Sequence, residues 1–219
     1  MKYYTKRKIL NLFFPVRCPV CSELIAGNDR FCIECTEKIS RYDGRFSIPG
    51  ASESYAVFVY DKAIFPAVHI LKNGRCGNSA YAFGTYLADV LKSKGIPDRI
   101  DFIIPVPLSE SSQRQRGYNQ SVLIAEVVCA EINRPVRCSV RKIRETREQK
   151  TLDREERKIN LKDAFQVTEN VSGKKILLID DITTTGSTLS EIALLLRKNG
   201  AENVICSAVM KVGKKKTGT

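Results

Sequence analysis

The chain's pattern predicts an α/β protein: a mostly parallel sheet flanked by helices, preceded by a small module built on four cysteines. Three observations carry that expectation. Short apolar runs at 55–60, 101–107, 176–179 and 204–209 alternate with segments whose apolar residues recur at helical spacing. One run ends on two adjacent carboxylates, Asp180 and Asp181, and passes through a hydroxyl-rich turn into a helix. Two Cys-x-x-Cys pairs stand near the N-terminus. At 219 residues there is material for one substantial α/β domain and a small module. The expected division is 1–50 for an N-terminal segment, the cysteine module and a linker, 51–212 for the main domain, and 213–219 for a basic disordered tail.

Taken in order, Met1–Val16 places Lys2, Lys6, Arg7 and Lys8 before Ile9-Leu10-Asn11-Leu12-Phe13-Phe14. The apolar core is too short for a signal peptide, Asn11 interrupts it, and no small-residue cleavage site follows. An amphipathic segment packing on the body is the expectation. No apolar run approaches the ~20 residues that span a bilayer.

Cys18-Pro-Val-Cys21 and Cys32-Ile-Glu-Cys35 each have the spacing that lets two thiolates reach one ion. Four sulfurs around one ion is the closed arrangement of a structural zinc site, so Cys18, Cys21, Cys32 and Cys35 are the candidate zinc ligands. An iron–sulfur cluster is the alternative this spacing leaves open. Disulfides would need an oxidising compartment, and no secretion signal is read, so a cytoplasmic location is expected. Cys129 and Cys206 lie in apolar segments and read as small core residues.

Residues 36–54 read as a polar linker. Tyr55–Tyr60 reads as a strand, Ala63–Lys72 as a helix ending at Asn73-Gly74-Arg75, and 80–92 as a second helix. His69, the only histidine, reads as a packing or supporting group. Asp101–Pro107 is a strand entering a proline-stiffened turn with Ser109, Arg114 and Arg116, and Gly117-Tyr-Asn-Gln120 opens a helix to Ile132. Strands are expected at 136–140, 164–167 and 204–209. Between them, 142–160 is almost devoid of apolar residues and reads as a mobile segment.

The strand 176–179 leads to Asp180-Asp-Ile-Thr-Thr-Thr-Gly-Ser-Thr188 and a helix striped by Leu189, Ile192, Ala193 and Leu196, with Gly200 ending it. Thr188 and Glu191 read as a capping box. A strand, a turn and a helix N-terminus make an anion cradle. No Gly-Lys-Ser/Thr follows the strand and only one glycine is present, which excludes the nucleoside-triphosphate loop and the dinucleotide fingerprint. Adjacent carboxylates repel, so this pair needs donors or a metal.

The net charge of +12, with a pI near 9.4, favours polyanions in general. Lys211, Lys214, Lys215 and Lys216 contribute part of it at the tail.

The 180–188 turn resembles the phosphoribosyl-pyrophosphate (PRPP) loop of type I phosphoribosyltransferases, where two acidic residues precede a Thr-Thr-Gly-x-Thr turn. The wider set is Leu71-Lys72-x-Gly74-Arg75, Pro105-Val-Pro107, Arg116-Gly-Tyr-Asn-Gln120, and Thr146…Gln149…Leu152…Arg157…Asn160…Ala164-Phe165. In this order behind two cysteine pairs, it is similar to the ComF family of competence-associated proteins over nearly the whole chain. That resemblance implies a type I phosphoribosyltransferase-like fold. It also implies a role in natural transformation, handling incoming single-stranded DNA beside a helicase-like competence protein. PRPP with Mg²⁺ would be held by Asp180, Asp181, Thr183, Thr184, Thr185, Gly186, Ser187 and Thr188. Lys72, Arg75, Ser109, Arg114 and Arg116 are the candidates to meet pyrophosphate. Arg144, Arg147, Gln149 and Lys150 are candidates on a closing lid. Tyr118 and Phe31 are candidate platforms for stacking bases. An orthodox nucleotide-salvage transferase and a PRPP-sensing adaptor without turnover stay open as alternatives.

Overall fold

A computed structural model describes residues 3–44, 46–73, 78–145, 161 and 163–213. In chain order its elements are α1 (Tyr3–Phe13), α2 (Ile33–Lys38), β1 (Glu53–Val59), α3 (Phe65–Lys72), α4 (Ser79–Ser93) and β2 (Phe102–Pro105). Then come α5 (Glu110–Arg116), α6 (Gln120–Ile132), β3 (Val140–Lys142), β4 (Phe165–Val167), β5 (Lys175–Thr183), α7 (Ser187–Lys198) and β6 (Asn203–Lys211).

The expected architecture holds: a four-stranded sheet in the order β1-β6-β5-β2, every neighbouring pair parallel. A parallel strand is covered on both faces, which is why its sequence runs apolar without alternating. Ile176, Leu177, Leu178 and Ile179 are all fully buried. Their side chains nevertheless divide by parity. Leu177 and Ile179 join Ile103 and Ile205 in a core with α3, α4 and α6. Ile176 and Leu178 join Phe102, Ile104, Val204 and Cys206 in a second core with α7. In the first core α4 meets α6 at Gly84, where an added Cβ would stand 2.5 Å from Cβ of Val127. No larger residue permits that approach.

Four local expectations change. β3 and β4 form a separate antiparallel pair instead of extending the main sheet, and Val136, ahead of β3, bridges to Ile103 of β2. Their alternating burial suits a half-covered ribbon rather than a buried parallel strand. The 109–116 turn is mostly helix α5, opened by Ser109, whose hydroxyl accepts from the Ser112 amide at 3.4 Å, and closed by Gly117 at φ +78°. The Thr188–Glu191 capping box does not form, because the helix starts two residues earlier than that box requires, at Ser187 behind Gly186. The 36–54 stretch also packs closely: the Tyr42 amide donates to Val57 at 2.9 Å and the Val59 amide to Ser40 at 3.0 Å, covering the β1 edge.

The N-terminal region is part of the same core. Cys18, Phe31, Cys35 and Ile39 are buried with Phe58, Phe83 and Leu87. Phe31 stacks on Tyr86 with centroids 5.8 Å apart. Helix α1 does pack on the body, through polar contacts rather than an apolar stripe. Arg7 lies 3.6 Å over the Tyr81 ring and donates to Asn78 at 2.6 Å, and the Tyr4 hydroxyl donates to Glu131. Leu12, Phe13 and Phe14 are exposed.

Candidate functional site

A parallel sheet concentrates its loops and helix N-termini beyond the carboxyl ends of its strands. Here the continuations of β1, β5 and β6, with α3 and the end of α5, enclose a cavity of about 900 Å³. Asp180, Asp181, Thr183 and Thr184 line it from β5 and its turn, Gly186, Ser187 and Thr188 from the start of α7, and Lys72 from the end of α3.

The two carboxylates behave differently. Asp180 is half-buried in the cavity lining, where desolvation first and the neighbouring Asp181 charge second push its pKa up to about 8. Its Oδ1 accepts from the Ser121 hydroxyl at 3.2 Å and from the Asp181 backbone amide at 2.9 Å. Asp181 instead faces Lys72, whose ammonium is 3.4 Å away. Burial thus favours the neutral form of Asp180, while Asp181 is paired with Lys72. The cavity is a place where added positive charge and hydroxyl donors would replace what water no longer supplies.

The turn above them is held from below and behind. Gly186 sits at φ +83°, a conformation that favours glycine, and an added Cβ there would meet Cδ1 of Ile48 at 2.2 Å. The Thr185 and Ser187 hydroxyls are 2.7 Å apart. From β6, Lys211 donates to the Thr184 carbonyl, and the Val212 amide donates to Thr183 at 2.9 Å. Lys211 is therefore a clamp on the turn, a role its position in a basic tail did not suggest.

Of the other expected residues, Arg116 lines the cavity and donates to Gln120 at 3.2 Å, with Gln115 beside it. Ser109 is buried as the α5 cap. Arg114 pairs with Glu110 at 3.0 Å on a different face of α5 and lines a separate cavity of about 520 Å³. A single helical turn explains the split, since Arg114 and Arg116 lie on different sides of α5. Arg144 is exposed next to Glu145, which accepts from the Ser111 amide at 3.2 Å. Arg75, Arg147, Gln149 and Lys150 lie outside the described residues.

Of the two expected stacking platforms, Phe31 is core and offers no free face, while Tyr118 is half-buried with its hydroxyl donating to the Leu71 carbonyl. The aromatic wall of the cavity is made by Tyr60, Phe65 and His69 instead. His69, read from sequence as a packing or supporting group, is exposed there, with its Nε2 2.7 Å from the side-chain Nδ2 of Asn73.

At the other end of the molecule the sulfurs of Cys18, Cys21, Cys32 and Cys35 all lie within 4.8 Å of one another. Tetrahedral zinc with bonds of about 2.3 Å places its sulfurs about 3.8 Å apart, so the set fits one ion. Against burial, which raises it, the backbone amides of Cys21, Cys32 and Val20 bring the Cys18 thiol down to about 7. Residues 9–46 contain only these four cysteines, enough for one closed site. Among the described residues no helix is long and apolar enough to cross a membrane.

Parallel sheet, acidic strand end, hydroxyl turn and a four-cysteine module together define a type I phosphoribosyltransferase-like fold behind a zinc ribbon. Comparison with known proteins agrees. A Phosphoribosyl transferase domain matches residues 87–218, and a Double zinc ribbon domain matches residues 9–46. The chain is 33% identical over 203 residues to the DNA utilization protein YhgH of Shigella flexneri, covering 85% of this chain and 86% of that protein. It is 39% identical over 106 residues to Competence protein F of Haemophilus influenzae, covering 47% of this chain and 46% of that protein. Among solved structures, adenine phosphoribosyltransferase from Saccharomyces cerevisiae aligns over 82% of this chain and 86% of that one, with 17% identity and a TM-score of 0.39. The chain belongs to the ComF family of phosphoribosyltransferase-like proteins.

Proposed function

We propose that this chain binds PRPP with Mg²⁺ in the cavity and acts in natural transformation, handling incoming single-stranded DNA in the cytoplasm alongside a helicase-like partner. The observation that carries the ligand is the acid pair Asp180–Asp181 set directly against the Thr183–Thr188 turn in one cavity. The DNA role is supported by relatives named for competence and for DNA utilization, together with the net charge of +12.

Each residue has a separable task. The hydroxyls of Thr184, Thr185, Ser187 and Thr188, with the N-terminus of α7, hold the 5′-phosphate. Asp180 and Asp181 orient the ribose hydroxyls. Lys72 and Arg116 meet the pyrophosphate, Lys72 exchanging its contact with Asp181 for the more highly charged group. Two adjacent carboxylates, one of them paired with Lys72, suit a hard ion that takes oxygen ligands. Mg²⁺ would supply neutralisation of the pyrophosphate charge. The expected lid, 142–160, would exclude water from the bound sugar; its residues 146–160 lie outside the described residues.

Calorimetric titration with PRPP tests the ligand. Saturable binding that weakens when Mg²⁺ is withheld is expected, and absence of binding with Mg²⁺ present would overturn it. For the DNA role, oligonucleotide affinity should fall with salt at a log–log slope of about −0.7 per phosphate contact. A salt-independent affinity would contradict it.

A further inference from the structure

β3 and β4 form a two-stranded sheet of their own, so among the described residues no strand covers the outer edge of β3. The inner edge fixes which groups that outer edge presents. The Thr168 amide donates to the Ser139 carbonyl and the Ile143 amide to the Ala164 carbonyl, both at 2.9 Å, and Arg141 stands opposite Gln166 in the same phase. The backbone groups of Val140 and Lys142 are therefore directed the other way, on the side of the cavity of about 520 Å³ between β3 and α5. Across it stand Pro105 and Pro107, which have no N–H with which to close the edge. With Leu108, Val122 and Val140 they make the lining partly apolar, while Arg114, Arg141 and Lys142 supply cations. The carboxylate among the lining residues is Glu110, already paired with Arg114 at 3.0 Å. Glu145 lies nearby and accepts from the Ser111 amide at 3.2 Å. Arg141 is exposed. Lys142 is half-buried, and burial pushes its pKa down against the Glu145 charge, so an added anion there would be stabilising.

We propose that this cleft docks an extended acidic segment of a protein partner, added as a third strand along the outer edge of β3. The backbone of the segment pairs with the Val140 and Lys142 groups, and its alternate side chains divide between the apolar lining and the cationic rim. The charge balance selects acidic side chains, because three cations and one already paired carboxylate border the cleft. A nucleic-acid strand would meet the same cations. However, among the described residues the lining holds no aromatic ring on which a base could stack, and an open strand edge matches a peptide backbone. No residue lines both this cleft and the cavity of the acid pair. Helix α5 stands between them, with Gln115 and Arg116 on one side and Gln113 and Arg114 on the other. Docking here does not depend on what the other cavity binds.

The test uses the zinc-loaded full chain and a fluorescent peptide of alternating glutamate and valine. Its controls are the same peptide with lysine for glutamate, and two versions methylated on alternate backbone nitrogens, one for each parity. Saturable binding of the glutamate peptide is expected, with the lysine peptide binding at least about tenfold more weakly. One methylated version should lose binding and the other keep it, since a strand pairs through one parity of its amides. Arg141→Glu should weaken the glutamate peptide by at least about tenfold, at a urea midpoint close to wild type, and Arg141→Lys should retain it. Absence of saturable binding would overturn the docking site, as would equal affinity for both methylated versions or full affinity in Arg141→Glu. The methylated probes need no variant, so they decide the question even where Arg141→Glu is unstable. Oligothymidylate is titrated in parallel. If Arg141→Glu weakens the oligonucleotide and leaves the peptide unchanged, the cleft is a nucleic-acid track and the peptide site is overturned.

Discussion

Gly186→Ala is the perturbation that connects the PRPP-type turn to the core beneath it. Two costs are visible at this position. The residue sits at φ +83°, and a non-glycine residue in that region costs about 1–2 kcal/mol. The new Cβ would also stand 2.2 Å from Cδ1 of Ile48, which is 2% exposed and has little room to withdraw. Overpacking of this kind costs about 1–3 kcal/mol. The expected destabilisation is therefore about 2–5 kcal/mol, read as a lower urea midpoint at unchanged slope in zinc-saturated protein. Ile48→Val removes the clashing methyl group. Alone it should cost about 0.5–1.5 kcal/mol, but in the Gly186→Ala background it should recover the packing part and leave the backbone part. A double-mutant cycle isolates that coupling. If Gly186→Ala falls within about 0.5 kcal/mol of wild type, or if the two changes simply add, then Ile48 does not support the turn and the reasoning is refuted.

Two further outcomes follow from the geometry. Asp180 has its folded pKa raised to about 8, above its unfolded value of 3.8, so between these values the folded state holds the extra proton. Stability of the ligand-free protein should therefore fall as pH rises through that window and level off above it, and Asp180→Asn should flatten the descent. Urea midpoints between about pH 5 and 9 check this, and an equal slope in both proteins would contradict it. Removing zinc with a chelator should loosen more than the N-terminal module, because Cys18, Phe31 and Cys35 share a core with Phe58, Phe83 and Leu87. Hydrogen exchange should accelerate in α4 as well as around the cysteines. Exchange confined to residues 9–46 would show the module to be energetically separate.

Much of this structure can be read in the chain because its strongest patterns are physical necessities. A strand buried on both faces has to be apolar throughout, and Ile176–Ile179 announces itself that way. Two acids at the end of such a strand are difficult to place without a ligand, and Asp180 and Asp181 line the cavity accordingly. Four thiols spaced in pairs need an ion. The losses have equally definite causes. Ile48 looks like one apolar residue in a polar stretch, and its contact with Gly186 depends on chain folding that no local period encodes. β3 and β4 are three residues each, too short for periodicity to separate an antiparallel ribbon from a fifth parallel strand. Phe65 and His69 stand four apart on α3, the spacing of a core stripe. A second apolar stripe on that helix, Ala67, Val68 and Leu71, was the available sign that the first one had to face elsewhere.

In the proposed function, Asp180 and Asp181 hold the sugar of a PRPP–Mg²⁺ complex. Its most direct test is calorimetric titration of PRPP–Mg²⁺ into wild type and into the doubly substituted Asp180→Asn/Asp181→Asn protein, both zinc-loaded. Hydrogen bonds to charged groups contribute about 1.5–3 kcal/mol each, so the double variant should bind at least about tenfold more weakly. Wild-type affinity in the double variant would contradict the claim.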